Sequence, residues 1–151
     1  MLGFGAQRIP APVRSTEPPT RGAKAFVAVR SAAPTTILGY HSISPGGIDF
    51  VKVPKGVSRN LGRYDVPVFR IGRLAVSIGE KGRGLGSALL FAAARRAIAV
   101  EVGGVALAID ARDENATRWY KRFGAMHLTD DPLKLILPFA VIAEADGETD
   151  Q

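Results

Sequence analysis

The segment from Arg73 to Gly86 constrains the fold more than any other part of this chain of 151 residues. Its first half, Arg73-Leu-Ala-Val-Ser-Ile78, is typical of a β-strand, and its second half is a glycine-rich turn that opens into an alanine- and leucine-rich helix. Such a strand–turn–helix presents the unpaired backbone N–H groups of a helix N-terminus, which form a ready anion site. Glycines at 82, 84 and 86 permit positive φ and let a phosphate approach the backbone closely.

Hydrophobic patterning and chain breakers predict the remaining elements. The predicted strands cover Lys24–Arg30, Thr35–Ile43, Val66–Val76, Val105–Ile109 and Leu133–Phe139, and the predicted helices cover Leu85–Val102 and Asp113–Phe123. A long polar connection, Ser44–Asp65, joins the second and third strands and has a possible short helix after Pro54. This order predicts an α/β (α+β) domain with a mixed sheet and flanking helices.

Composition divides the chain into three parts. Residues 1–22 are proline-rich and are expected to form a flexible arm, residues 23–139 form the domain, and residues 140–151 form an acidic tail that we expect to be disordered. Four of the 14 acidic residues lie in that tail, so residues 1–139 hold 20 bases against 10 acids, a net charge of about +10. Such a charge favours a polyanionic partner, either a nucleic acid or a phosphate-bearing cofactor, although solvated surface arginines would give the same total.

The absence of some residue types excludes several classes of chemistry. The chain has no cysteine, which rules out disulfides, thiolate metal ligands and cysteine nucleophiles, and its two histidines make a histidine-rich metal site unexpected. No apolar run is long enough to span a bilayer, and no secretory signal is recognisable, so we expect a cytoplasmic protein without a membrane partner.

The glycine turn alone leaves its ligand open. Gly-Arg-Gly-Leu-Gly does not match the dinucleotide fingerprint G-x-G-x-x-G, and it lacks the Gly-Lys-Ser/Thr ending of a P-loop. A purely structural turn is the simplest alternative. A second motif therefore has to decide between an anion site and a plain turn.

That second motif is Asp113-Glu-Asn-Ala-Thr-Arg-Trp-Tyr-Lys-Arg-Phe-Gly-Ala125, about 35 residues further along. Together the two motifs resemble the GNAT N-acetyltransferases. The family's phosphate loop, Q/R-x-x-G-x-G/A, falls on Lys81-Gly82-Arg83-Gly84-Leu85-Gly86. Its helix marker, N-x-x-A-x-x-x-Y-x-x-x-G-F, falls on Asp113, Ala116, Tyr120, Gly124 and Ala125.

A narrower resemblance covers about residues 21 to 139. Val66-Pro-Val-Phe-Arg-Ile-Gly-Arg-Leu-Ala-Val76, the glycine turn, Asp110-Ala-Arg-Asp113 and Asp131-Pro-Leu-Lys-Leu135 are similar to the GNAT toxins of bacterial type II toxin–antitoxin systems. This resemblance implies an enzyme that transfers acetyl from acetyl-coenzyme A to the α-amino group of aminoacyl-tRNA and so blocks translation. It also implies a ribbon-helix-helix antitoxin as partner and a possible homodimer.

The resemblance implies roles for individual residues. Tyr120 is expected to be the general acid that protonates the leaving thiolate, since a phenol with an ordinary pKa of ~10 is protonated at neutral pH. Donor binding is assigned to two stretches, Leu74, Ala75, Val76 and Lys81, Gly82, Arg83, Gly84, Leu85, Gly86, Ser87. The residues expected to contact tRNA are Arg73, Arg112, Arg118, Lys121 and Arg122. Asp113, Glu114 and His127 are candidate general bases by residue type only.

The beginning of the chain departs from the family pattern. The usual N-terminal strand and two helices have no counterpart before Lys24, where only about 22 proline-rich residues stand. Two alternatives to the toxin therefore stay open at this point: an acetyltransferase for a small amine or a protein N-terminus, and an inactive relic or basic nucleic-acid-binding module.

Overall fold

The computed structural model describes residues 22–100 and 103–149. The predicted flexible arm lies outside the described residues except for Gly22. Six strands form the sheet: β1 (Lys24–Arg30), β2 (Ala33–Ile48), β3 (Val66–Val76), β4 (Ala106–Asp110), β5 (Met126–Leu128) and β6 (Asp131–Pro138). Within these described ranges four α-helices accompany them: α1 (Lys55–Ser58), α2 (Leu85–Ile98), α3 (Glu114–Lys121) and α4 (Phe139–Thr149).

The sheet is mixed, with strand order β1-β2-β3-β4-β6-β5. Strands β3 and β4 are parallel because α2 forms the crossover between them, whereas all other neighbours are antiparallel. The predicted mixed sheet with flanking helices is therefore confirmed. None of the helices in the described part of the chain is long and apolar enough to cross a membrane.

Side chains alternate along the strands, so the sheet has two apolar faces. One face packs against α2, α3 and α4 through residues such as Leu90, Ile109 and Leu135. The opposite face packs against the segment around α1 through residues such as Val68 and Ile136. Each face of the sheet also carries a cavity near the end of the β3–β4 pairing.

Strand β2 is longer than predicted. Pro45, Gly46 and Gly47 were expected to begin a loop, but they continue the strand to Ile48 opposite Val66–Phe69 of β3. Because β1 begins only opposite Ile43, this stretch pairs on one side alone. Proline and glycine are tolerated there, and burial of Ile48 holds the end of the strand.

The acidic C-terminal segment does not fit the prediction of a disordered tail starting at residue 140. It forms α4, whose Ile142 side chain is 3% exposed within the core. Its Val141 lies so close to Gly124 that a Cβ at Gly124 would stand 2.5 Å from Val141 Cγ1. The apolar residues that precede the acids anchor the helix, so the acidic charge of the segment was the wrong basis for predicting disorder.

Replacing Ile142 with alanine tests this anchoring. We expect the Ile142→Ala variant to lose about 2–5 kcal/mol of unfolding free energy, because truncating a fully buried isoleucine leaves a cavity. Urea denaturation followed by circular dichroism measures the loss. The exposed neighbour provides a matched control, and Ala143→Ser should stay within about 0.5 kcal/mol of the parent. Equal stability of all three proteins would show that α4 is not part of the core.

Candidate active site

The site begins where β3 and β4 separate. Their parallel pairing runs from Val68 opposite Ala106 to Ile71 opposite Ile109 and ends there. Strand β3 continues to Val76, and within the described ranges this last part pairs only with β2 on its other side. The backbone N–H and C=O groups along the β4-facing edge of residues 72–76 are therefore available to a ligand.

The glycine turn stands at the end of this free edge. Gly82 and Gly84 have φ of +79° and +81°, the left-handed region that other residues adopt only with strain. Gly84 is the N-cap of α2, and its carbonyl accepts the first helical bond, from the Ala88 N–H at 3.1 Å. The N–H groups of the first helical turn, Leu85, Gly86 and Ser87, consequently have no partner within the helix and point toward an anion.

A cleft of about 520 Å³ joins the free strand edge, the glycine turn and α3. Eight of the ten predicted donor-binding residues line it: Leu74, Val76, Lys81, Gly82, Gly84, Leu85, Gly86 and Ser87. Ala75 and Arg83 do not. Ala75 follows the strand alternation and faces away from the cleft, and Arg83 is exposed beside the turn.

Tyr120 lines the same cleft from α3 and is 8% exposed. Burial raises the pKa of its phenol above the ordinary value of 10.0, since the charged phenolate is poorly solvated there. The hydroxyl is therefore protonated at neutral pH. A phenol held in this state at the mouth of a strand gap is suited to donate a proton.

Trp119 also belongs to the cleft, although the sequence favoured a packing role for it. Its ring packs edge-on against Tyr120 and Phe123, each with centroids 4.9 Å apart. It also contacts Gly86, where a Cβ would stand 3.3 Å from Trp119 Cζ2. The indole thus joins the start of α2 to α3 and fixes the position of Tyr120.

None of the three candidate bases lines the cleft. Asp113 caps α3, its Oδ1 accepting from the Ala116 N–H at 2.8 Å, and Glu114 is exposed at the start of that helix. His127 lies on the edge strand β5. The carboxylate that does line the cleft is Glu80, and it is paired with Arg30 at 2.5 Å. The lining of this cleft therefore holds no unpaired carboxylate.

A second cavity lies on the opposite face of the sheet, near the end of the β3–β4 pairing. It holds about 130 Å³, and its lining includes three cationic side chains, Lys52, Arg70 and Lys134, and two carboxylates, Asp49 and Asp110. Arg70 Nη1 donates to Asp110 Oδ2 at 2.9 Å. The two cavities share no lining residue and lie on opposite faces of the sheet.

The predicted tRNA residues are dispersed by the fold. Arg122 lines the cleft with the glycine turn. Arg73 is exposed on the free part of β3, and Arg112 is exposed just after β4. Arg118 donates to Asn115 on the surface of α3, and Lys121 is exposed at the end of that helix. Two cationic residues of the second cavity were not among the predicted tRNA residues: Lys52 comes from a segment with no recognisable motif, and Lys134 lies within the Asp131–Leu135 segment but was given no role.

Comparison with known proteins identifies the family of the chain that forms this cleft. The model of the acetyltransferase (GNAT) family matches residues 15–125. The chain belongs to the GNAT acetyltransferase family. It is therefore an N-acetyltransferase, and acetyl-coenzyme A is its acetyl donor.

Individual relatives of this GNAT enzyme agree with the family. A tRNA-acetylating toxin of Mycobacterium tuberculosis is 34% identical to it over 118 residues, which make up 77% of this chain and 69% of the relative. AtaT complexed with acetyl-methionyl-tRNAfMet has a TM-score of 0.74 at 22% identity, covering 82% of this chain and 75% of the other. AtaTR bound with AcCoA has a TM-score of 0.65 at 23% identity, covering 82% and 74%. These two structures share the fold.

The cleft fits the donor chemically. The α2 N-terminus with Lys81 and Arg122 suits a pyrophosphate, and the apolar side chains of Leu74 and Val76 beside the free strand edge suit an extended amide-bearing arm. Within the described ranges no group of three or more His, Asp or Glu side chains could hold a metal ion.

Proposed function

We propose that this GNAT enzyme acetylates the α-amino group of aminoacyl-tRNA and acts as a translation-blocking toxin. The observation that carries the proposal is the second cavity, which lies on the opposite face of the sheet near the end of the β3–β4 pairing and has three cationic side chains against two carboxylates in its lining. A polyanionic acceptor would enter there, and the 34% identical relative is a tRNA-acetylating toxin. The net charge of +6 supports an acceptor of this kind.

The reaction requires the protein to position the two substrates and to supply one proton. The donor supplies a thioester, whose carbonyl carbon is attacked by the neutral amine, so that a C–N bond forms and the C–S bond breaks. Tyr120 donates its phenolic proton to the departing thiolate sulfur. Free N–H groups on the β3 edge hydrogen-bond the acyl oxygen as negative charge develops on it.

The missing base is consistent with this acceptor. The ester of an aminoacyl-tRNA withdraws electrons from the α-amine and lowers its pKa, so a fraction is neutral at neutral pH. Water then takes the remaining proton. An ordinary alkylamine would have a larger need for a protein base, and the one carboxylate that lines the donor cleft, Glu80, is paired with Arg30.

The deciding experiment incubates the purified protein with acetyl-coenzyme A and a mixture of charged tRNAs. We expect mass spectrometry to find N-acetylated amino acids on the tRNA 3′ ends. Uncharged tRNA and free amino acids serve as acceptor controls and should stay unmodified. Acetylation of small amines or peptides at equal or higher rate, with none on aminoacyl-tRNA, would instead establish the alternative acceptor class.

Lys52 and Lys134 allow a sharper test of where the acceptor binds. We expect Lys52→Gln and Lys134→Gln each to raise KM for aminoacyl-tRNA several-fold, and together to reduce the salt dependence of KM by about one to two units on a log–log plot. The KM for acetyl-coenzyme A should not change. Lys24→Gln, on the distant edge strand β1, is the matched control. An equal rise in the KM for aminoacyl-tRNA in the Lys24→Gln control would mean that only the total charge of the protein affects acceptor binding.

We also propose that a cognate antitoxin of the ribbon-helix-helix class neutralises the enzyme. The structural relatives include an AtaT variant bound to the C-terminus of the antitoxin AtaR, with a TM-score of 0.63 at 20% identity. Co-expression tests this point. Growth arrest on expression of the enzyme should be relieved by a small ribbon-helix-helix protein from a neighbouring gene, and the two should copurify.

A further inference from the structure

A third cavity lies on the far side of α2 from the donor cleft and shares no lining residue with it. It holds about 240 Å³ between strands β1 and β2 and the middle of α2. Its lining combines apolar and basic side chains: Phe26, Val27, His41, Leu89, Ala92, Arg95 and Arg96. The acetyl-transfer mechanism uses none of them.

His41 is the unusual member of this lining. The residue is 1% exposed, yet neither ring nitrogen has a hydrogen-bond partner in the described part of the chain. Burial, followed by the charge of Arg96, lowers the pKa of the imidazole to about 4. The ring is therefore neutral at pH 7 and offers one N–H donor. Leaving a buried imidazole unpaired is costly, and such a group calls for a ligand or another partner.

Arg96 adds positive charge at the same place. Its guanidinium carbon lies 3.8 Å from the centroid of the Phe26 ring, and that ring stacks on His41 with centroids 5.2 Å apart. Among the described residues no partner is found for the buried Arg96 Nε, and no carboxylate belongs to the cavity lining. The Phe26 ring thus contacts both a guanidinium and an imidazole within the lining of the cavity.

The cavity continues into an apolar groove of about 470 Å³. Phe26 and Arg96 belong to both, and the groove adds Ile43, Pro45, Phe69 and Ala97. Lys24 and Ser44 are its other polar side chains, and again no carboxylate is present among the lining residues. The polar end thus favours an anion, whereas the groove favours an aliphatic or aromatic body.

We propose that this cavity binds a small organic anion with an apolar body, of the carboxylate class. The carboxylate would pair with the Arg96 guanidinium beside His41, and the apolar body would lie along Phe26 and Ile43. Such a ligand brings a negative charge to a guanidinium whose cavity holds no carboxylate in its lining. It is distinct from the acyl donor, which the glycine turn holds at the other side of α2.

Ligand binding in this cavity would affect the catalytic cleft through the pairing of β2 with β3. His41 stands directly opposite Leu74 in the β2–β3 register, and Leu74 lines the donor cleft. Leu89 of the cavity belongs to the helix whose first turn faces the donor. A ligand that orders His41 and α2 therefore acts on elements shared with the active site.

Hexanoate is the test ligand, with hexanamide as its neutral counterpart of equal length. The two histidines of the chain make NMR the direct readout. In the full-length protein saturated with coenzyme A, we expect hexanoate to shift the ring resonances of His41 saturably and to leave those of His127, on β5, in place. Hexanamide should bind at least tenfold more weakly than hexanoate, because it lacks the negative charge.

Arg96→Gln completes the test, since glutamine keeps part of the stem but loses the guanidinium. Its dissociation constant for hexanoate, measured by calorimetry, should rise at least tenfold, whereas Arg63→Gln on an exposed loop should leave it unchanged. The proposal is overturned if hexanoate does not shift His41, or if hexanamide binds equally well. Retention of full affinity in Arg96→Gln would also overturn it.

Discussion

Replacing Tyr120 with phenylalanine should lower kcat for acetyl transfer by about 10²- to 10⁴-fold, the range expected for losing a positioned general acid. The cleft wall should survive, because only one oxygen is removed from a residue that is otherwise buried. The KM for acetyl-coenzyme A should therefore stay within about twofold of the parent. Steady-state kinetics with aminoacyl-tRNA as acceptor measures both constants.

The matched control is Tyr64→Phe, which removes the same atom from a side chain that is 84% exposed and outside the cleft. Its kcat should equal that of the parent. If Tyr120→Phe kept full kcat, the leaving thiolate would be protonated by water and Tyr120 would be a core residue only. A rise in the KM for acetyl-coenzyme A with kcat unchanged would assign Tyr120 to donor binding.

The pH profile gives an independent check on the same group. Burial raises the pKa of Tyr120 above 10.0, so the acid form persists and activity should not fall with its ionisation between pH 7 and 9. The rate should instead rise over this range until the acceptor amine is fully neutral. A descending limb below pH 9 in the parent, absent from Tyr120→Phe, would contradict the direction of this shift.

The donor side of the site was predictable from sequence because its residues are close together along the chain. The glycine turn and the start of α2 form one contiguous segment, and the spacing from Asp113 to Tyr120 places the cap and the phenol on one short helix. Local backbone rules are sufficient for such features. Ala75 and Arg83 are the two predicted donor-binding residues that do not line the cleft, because the direction of a side chain within a segment depends on more than the local motif.

The second cavity could not be predicted in this way. Lys52, Arg70 and Lys134 come from three separate segments, and only the strand order of the sheet brings them together. The tail failed for a related reason. Its acidic composition suggested solvation, whereas contacts of Val141 and Ile142 with distant parts of the chain determine its structure. Long-range packing overrides composition at both places.

The glycine turn is expected to show the second large effect. In the double variant Gly82→Ala/Gly84→Ala, both positions would need positive φ, which costs about 1–2 kcal/mol for each alanine. A Cβ meets nothing within 4 Å at either position, so the cost is conformational rather than steric. Because the turn is largely exposed, the free variant can relax to another conformation and must restore the donor-binding one on association. We expect the dissociation constant for acetyl-coenzyme A to rise roughly 30- to 700-fold.

The control for this variant is Gly79→Ala in the 3-10 turn that precedes the motif. A Cβ at Gly79 would likewise meet nothing within 4 Å, but the φ of Gly79 is not positive, so the affinity of this variant for the donor should be unchanged. Calorimetric titration measures all three proteins, and circular dichroism confirms that they are folded. Unchanged donor affinity in the double variant would mean that the backbone at Gly82 and Gly84 does not form the phosphate cradle. An equal loss of donor affinity in Gly79→Ala would mean that the whole connection between β3 and α2 contributes to binding. The left-handed conformation at Gly82 and Gly84 would then not be the deciding feature.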